Sequence, residues 1–145
     1  MTPNLKTKLG LVFGDQALAD EMLAALNGLN GDLVCRITPT TKTKAATGAA
    51  WSEKITVELV DSEGRVHTWF NKTLTTRASV ADTSTAGTGV IASTSLVFVD
   101  GKATVALSGA AAAWLATETV TVTIANLTVN GVTVTGGTSV LTFIP

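Results

Sequence analysis

The sequence predicts a mainly β protein: an antiparallel β-sandwich preceded by one N-terminal amphipathic α-helix. Three observations predict it. Short runs of alternating apolar and polar residues recur from residue 53 to the end of the chain. Turn signals punctuate them, above all Asp100-Gly101 and Asn130-Gly131. One segment near the start has a helical period instead. Closely spaced strands separated by turn residues read as a sandwich or barrel.

The elements follow in order. Residues 1–14 form a short arm. Asp15 is placed to cap a helix and Gly28 to end it. Between them Leu18, Met22 and Leu26 recur at i, i+4, i+8 with Leu23 beside them, while Asp20 lies on the opposite face and Glu21 on its flank. "DLVCRI" (32–37) reads as a first strand. "TPTTKTKAATGAA" (38–50) has no period and reads as a long loop, either a flexible surface loop or an extended arm ordered by a neighbouring subunit. "EKITVELVD" (53–61) puts Ile55, Val57 and Leu59 on one face. After the Asp61–Gly64 turn, "RVHTWF" (65–70) alternates Val66 and Phe70 against His67 and Trp69. "LTTRASVAD" (74–82) and a Gly/Ser/Thr loop (83–89) lead to "SLVFV" and "KATVALS", joined at Asp100-Gly101. Asp-Gly between alternating runs is a strong hairpin signal, because both residues tolerate positive φ. "ETVTVTIAN" (118–126), the "LTV"/"VTV" pair around Asn130-Gly131, and "TSVLTFI" (138–144) complete eight or nine strands. The predicted core is Ile55, Val57, Leu59, Phe98, Val105, Leu107, Val120, Val122 and Ile124. The division is an arm and helix at 1–30 packed on a sandwich at 31–145, with the 38–50 arm inside the latter.

Composition narrows the function. The 145 residues carry 46% apolar and 14% charged side chains, with a net charge of −1. That balance points away from a nucleic-acid binder, which needs a basic face. No apolar run reaches the roughly 18–20 residues of a membrane span, and the N-terminus has no pattern of a secretory signal, so synthesis in a cytoplasm is expected. Glu118 is the only charged residue between Ala103 and Pro145, so that stretch stays soluble on Thr, Ser and Asn or is partly covered by a partner.

No catalytic constellation, cofactor site or metal site is predicted. There is one histidine, His67, and one cysteine, Cys35. Metal sites built of several His or Cys ligands are excluded, and Cys35 reads as a buried structural thiol. His67 reads as a half-exposed strand residue. No G-x-S-x-G, P-loop or EF-hand spacing occurs. Most of the acids sit in turns, on the helix or on solvent-facing strand positions. Candidate interface residues are the arm cations Lys6, Lys8, Lys42 and Lys44 and the three tryptophans, Trp51, Trp69 and Trp114, since aromatic side chains are enriched at interface centres.

"ITVELVDSEGRVHTWFNKTLT", "DTSTAGTG", "FVDGKATVALSGAAAAWLATETVTVTIAN" and "GVTVTGGTSVLTF" resemble the Ig-like β-sandwich segments of tailed-bacteriophage virion proteins. There a "DGxAxVxLSG" strand is followed by a "W-x-A-x-E-T" connection and a final pair of Thr/Val strands. "GDQALADEMLAALNGL" resembles the short helix that opens many small phage head and tail proteins. The resemblance covers residues 53–144, and 10–30 loosely. Bacterial surface Ig-like repeats share "DGKATVxL", but this sequence has a single domain and its own helix. The resemblance implies an Ig-like or jelly-roll-like sandwich and a non-enzymatic capsid decoration (cement) protein on the capsid exterior. Its partners would be the major capsid protein and copies of itself, as a dimer or trimer, with no nucleic acid and no membrane. The alternative is an Ig-like adhesion or host-recognition module on a phage tail or bacterial surface.

Overall fold

A computed structural model describes residues 33–83, 89–111, 116–129 and 131–145. The expected helix at 15–28 lies outside the described residues. Twelve strands are described: β1 (Val34–Thr38), β2 (Thr41–Ala45), β3 (Trp51–Val60), β4 (Lys72–Leu74), β5 (Ala78–Asp82), β6 (Gly89–Ile91), β7 (Leu96–Phe98), β8 (Lys102–Gly109), β9 (Glu118–Ile124), β10 (Leu127–Val129), β11 (Val132–Val134) and β12 (Gly137–Ile144).

Period-2 patterning explains the layers. One sheet has the order β1-β3-β8-β6, the other β2-β12-β9-β5, and β4-β7 and β10-β11 form two small ribbons. Alternate residues of each four-stranded sheet point into one shared core. All nine predicted core residues are there, each between 0% and 2% exposed. Those values fix the registers, because a one-residue slip would have turned every one of them to solvent. Leu127, Val129, Leu141 and Phe143 complete the core from the C-terminal strands.

Three expectations need correction. The first is the aperiodic arm at 38–50. The chain leaves the first sheet at Thr38-Pro39, a cis peptide, and joins the second as β2. Ser139 Oγ donates to the Pro39 carbonyl at 2.6 Å and Val140 N to the Thr40 carbonyl at 2.9 Å. β2 then runs parallel to β12, pairing Thr41 with Val140 through to Ala45 with Ile144. The second sheet is therefore mixed rather than purely antiparallel, and Thr41–Ala45 is ordered by its own chain, not by a neighbour.

The second concerns 65–70. Only Val66 bridges a strand, opposite Val60. Local bonds from Thr68 N to Val66 O and from Phe70 N to His67 O coil the rest into a strap. His67 is consequently 4% exposed rather than half-exposed.

The third concerns the Asp100-Gly101 turn. Both residues have positive φ, 49° and 74°, and Val99 and Lys102 exchange both backbone bonds across them. That is the two-residue turn the dipeptide predicts. Its strands part at once, however: β7 pairs with β4, and β8 with β3 and β6.

Candidate interaction surface

Charge is the scarce resource of this surface, and most of it is spent within the fold. Lys42 and Lys44 lie opposite Leu141 and Phe143 in register, so they share the core-facing side of β2. Glu53 lies opposite Leu107 on the core-facing side of β3. The three meet between the sheets at one open edge of the sandwich, with Lys42 Nζ 2.8 Å and Lys44 Nζ 3.1 Å from Glu53 Oε2. Inward-pointing charges on an edge strand also discourage edge-to-edge pairing with another chain. The hydrogen bond from Lys42, with Lys44 behind it, holds the Glu53 carboxyl down to about 2 from an ordinary 4.5.

A folded value below the unfolded one means the pair's contribution is complete above pH 4.5 and is lost as pH falls toward 2. Glu53→Gln should therefore cost about 1 kcal/mol at pH 7, the scale of an accessible ion pair. It should also flatten the acid limb of the stability profile, measured by urea unfolding at stepped pH.

The outer face of the first sheet carries a second set of charges. Arg36, Glu58 and Lys102 are cross-strand neighbours on β1, β3 and β8. Glu58 Oε2 lies 2.6 Å from Arg36 Nη2, and its Oε1 2.9 Å from Lys102 Nζ. Lys102 first, then Arg36, hold the Glu58 carboxyl below its ordinary range. Beyond this ladder, a shallow groove of about 420 Å³ runs over Ser52, Lys54, Ala92, Ala106 and Ser108.

The two described tryptophans pack within the chain. Trp51 is half-buried over the cross-strand pair Gly89 and Gly109, with its ring 4.7 Å from that of Phe143. A side chain at Gly109 would strike the Trp51 indole nitrogen. Trp69 is partly buried and donates its indole N–H to His67 Nδ1 at 2.9 Å. Of the candidate interface residues, Lys42, Lys44, Trp51 and Trp69 thus make contacts within the chain. Lys6, Lys8 and Trp114 lie outside the described residues.

Cys35 is half-buried on β1, and burial pushes its thiol up to about 11. The nucleophile is the thiolate. Alkylation of the folded protein at pH 8 should run at least about tenfold slower than that of an unhindered cysteine, whose thiol ionises near 8.5.

The surface that the sequence does not assemble, and the registers do, is the outer face of the second sheet. Its positions alternate with the buried ones. β12 presents Thr138, Val140, Thr142 and Ile144, and β9 presents Thr119, Thr121 and Thr123. β2 adds Thr41, Thr43 and Ala45, and β5 adds Ser79 and Ala81. The registers align them in rows, such as Thr41–Val140–Thr121–Ala81 and Thr43–Thr142–Thr119. Thr83 continues the second row, its Oγ1 accepting from Thr119 N at 2.9 Å. None of these outward positions is charged. The legible signal was the stretch from Ala103 to Pro145 with Glu118 as its sole charge, which the sequence leaves open between strand propensity and cover by a partner.

Among the described residues, no group of three or more His, Cys, Asp or Glu side chains could hold a metal ion, and no helix is long and apolar enough to cross a membrane. No protein-family model matches the sequence. No curated protein matches it either. Among solved structures, WR4, a C. elegans MSP family member, is similar at 9% identity and a TM-score of 0.39, over 77% of this chain and 96% of that one.

Proposed function

We propose that the chain is a non-enzymatic structural protein of Ig-like sandwich type, a capsid decoration (cement) protein of tailed-phage kind that stabilises a lattice of major capsid protein from the capsid exterior. The observation that carries this reading is the uncharged outer face of the second sheet. Interface centres are depleted of charged side chains, because burying an unpaired charge is costly. An array of Thr, Val, Ser and Ala gives up its water at lower cost than a charged one, and its hydroxyls can donate and accept across a contact. Lys42 and Lys44 guard the adjoining edge of the same sheet, which favours contact through the face over strand addition. The resemblance of residues 53–144 to phage virion sandwiches supplies the partner.

The test is to mix the isolated protein with capsid particles that lack it and weigh the particles. The reading expects a stoichiometric gain in particle mass and a higher temperature of particle disruption. Particles of unchanged mass would overturn it.

A further inference from the structure

The structure assigns a second property to the strap at 65–71: we propose that His67 is an acid-sensitive latch, whose protonation releases the strap and unseats the β7–β8 turn.

An indole N–H can only donate, so the 2.9 Å bond from Trp69 makes His67 Nδ1 the acceptor. The ring's one proton is then on Nε2, which is buried and without a hydrogen-bond partner. A second proton has to go on Nδ1. There it faces the Trp69 N–H, donor against donor, and the bond is lost. The resulting cation has no acceptor at either nitrogen and sits on a residue 4% exposed.

The surrounding charges do not rescue it. In the turn before the strap, Asp61 favours the charged ring and Arg65 opposes it. These two are already paired at 2.7 Å, and Glu63 also pairs with Arg65. On β3 and β8, Glu58 and Lys102 are engaged in the outer-face ladder. On β1, Cys35 lies opposite Leu59 and stays neutral, its thiol near 11. In the turn, the Asp100 backbone N–H donates to Asn71 Oδ1, and the charges that act on the ring are those of Asp61 and Arg65 alone. Burial is the largest influence and lowers the ring's affinity for a proton from its ordinary 6.5.

The strap is suited to open by itself. It forms no ladder beyond the Val66 bridge. Past Arg65, which is tied to Asp61 by backbone and side chain, it is held by His67 N to Leu59 O at 2.9 Å and by Gly101 N to Phe70 O at 2.9 Å. Asn71 joins it to Asp100 N at 2.8 Å. The imidazole, stacked edge-on against Trp69 and followed by Phe70 on Phe98, is the plug beneath those bonds. Its expulsion uncovers Phe70 and Phe98 and frees the Asp100-Gly101 turn.

The sign is fixed by linkage. The open strap binds a proton near 6.5 and the closed one only below it. Opening is therefore unaffected above 6.5 and rises about tenfold per pH unit below it, until the closed state also protonates. The sole histidine gives one Cε1–H resonance, so its titration can be followed in the unmodified protein together with amide protection. The expected result is titration below 6.5, with protection at His67, Phe70 and Gly101 falling about tenfold per pH unit while Val105 and Val122 hold. His67→Gln, which cannot titrate, should remove the dependence. Titration at the ordinary value with unchanged strap protection would overturn the proposal. So would loss at Val105 and Val122 in step with the strap, or the same acid response in His67→Gln. If that variant does not fold, the wild-type resonance and protection data decide alone.

Discussion

Phe98→Ala should lower the unfolding free energy by about 3–5 kcal/mol, the range of buried Phe truncations. Phe98 is 2% exposed, and its ring lies 5.1 Å from that of Phe70, nearly edge-on. It stands on β7, which is tied to β4 on one side and to the strap through the adjoining turn. At pH 7, with the strap closed, these neighbours keep their backbone bonds and fill only part of the space a benzyl group leaves. Urea unfolding of the variant at pH 7 measures the loss. A cost under about 1 kcal/mol, typical of surface sites, would show that this end of the core is not packed as described.

Gly101→Ala should cost about 3 kcal/mol or more. Two separate terms combine. The residue has φ of 74°, where an L side chain is strained by about 1–3 kcal/mol. Its new Cβ would also strike the His67 carbonyl oxygen and lie 2.9 Å from a Val66 methyl. The carbonyl belongs to backbone and cannot rotate away, so the strap itself has to shift. Thermal unfolding of Gly101→Ala beside Gly131→Ala separates the terms. Gly131 has φ of 81° but nothing within 4 Å of a Cβ, so it should lose only the strain.

These effects explain why parts of the fold were legible in the sequence. β3 from Ile55, β8 from Ala103 and β9 from Val120 carry apolar residues at every second position, and that period is the signature of a sheet with one face buried. The Asp100-Gly101 turn was legible because few dipeptides accept two positive φ values in succession. β2 was not legible, because Lys42 and Lys44 occupy the positions where a strand normally puts apolar side chains. An edge strand whose inward residues are ion-paired has no hydrophobic period to read. The strap was misread for the opposite reason. Val66, His67, Trp69 and Phe70 alternate like a strand, but local turns and the Trp69–His67 bond override that pattern. The uncharged face was only half legible: Thr is an ordinary strand residue, and only the registers show that the Thr positions of three strands align in rows.

The most direct test of the account is the particle mass gained with Thr121→Arg. Thr121 lies between Ala81 and Val140 in the uncharged face, on an inner strand. The arginine points outward, so the fold should survive with a cost near the roughly 0.5 kcal/mol of surface changes. Lys54→Glu, on the outer face of the other sheet, is the matched control. The account predicts that Thr121→Arg loses at least about tenfold in particle affinity, about 1.4 kcal/mol, while Lys54→Glu binds as the unmodified protein does. Undiminished binding by folded Thr121→Arg would contradict the assignment of this face.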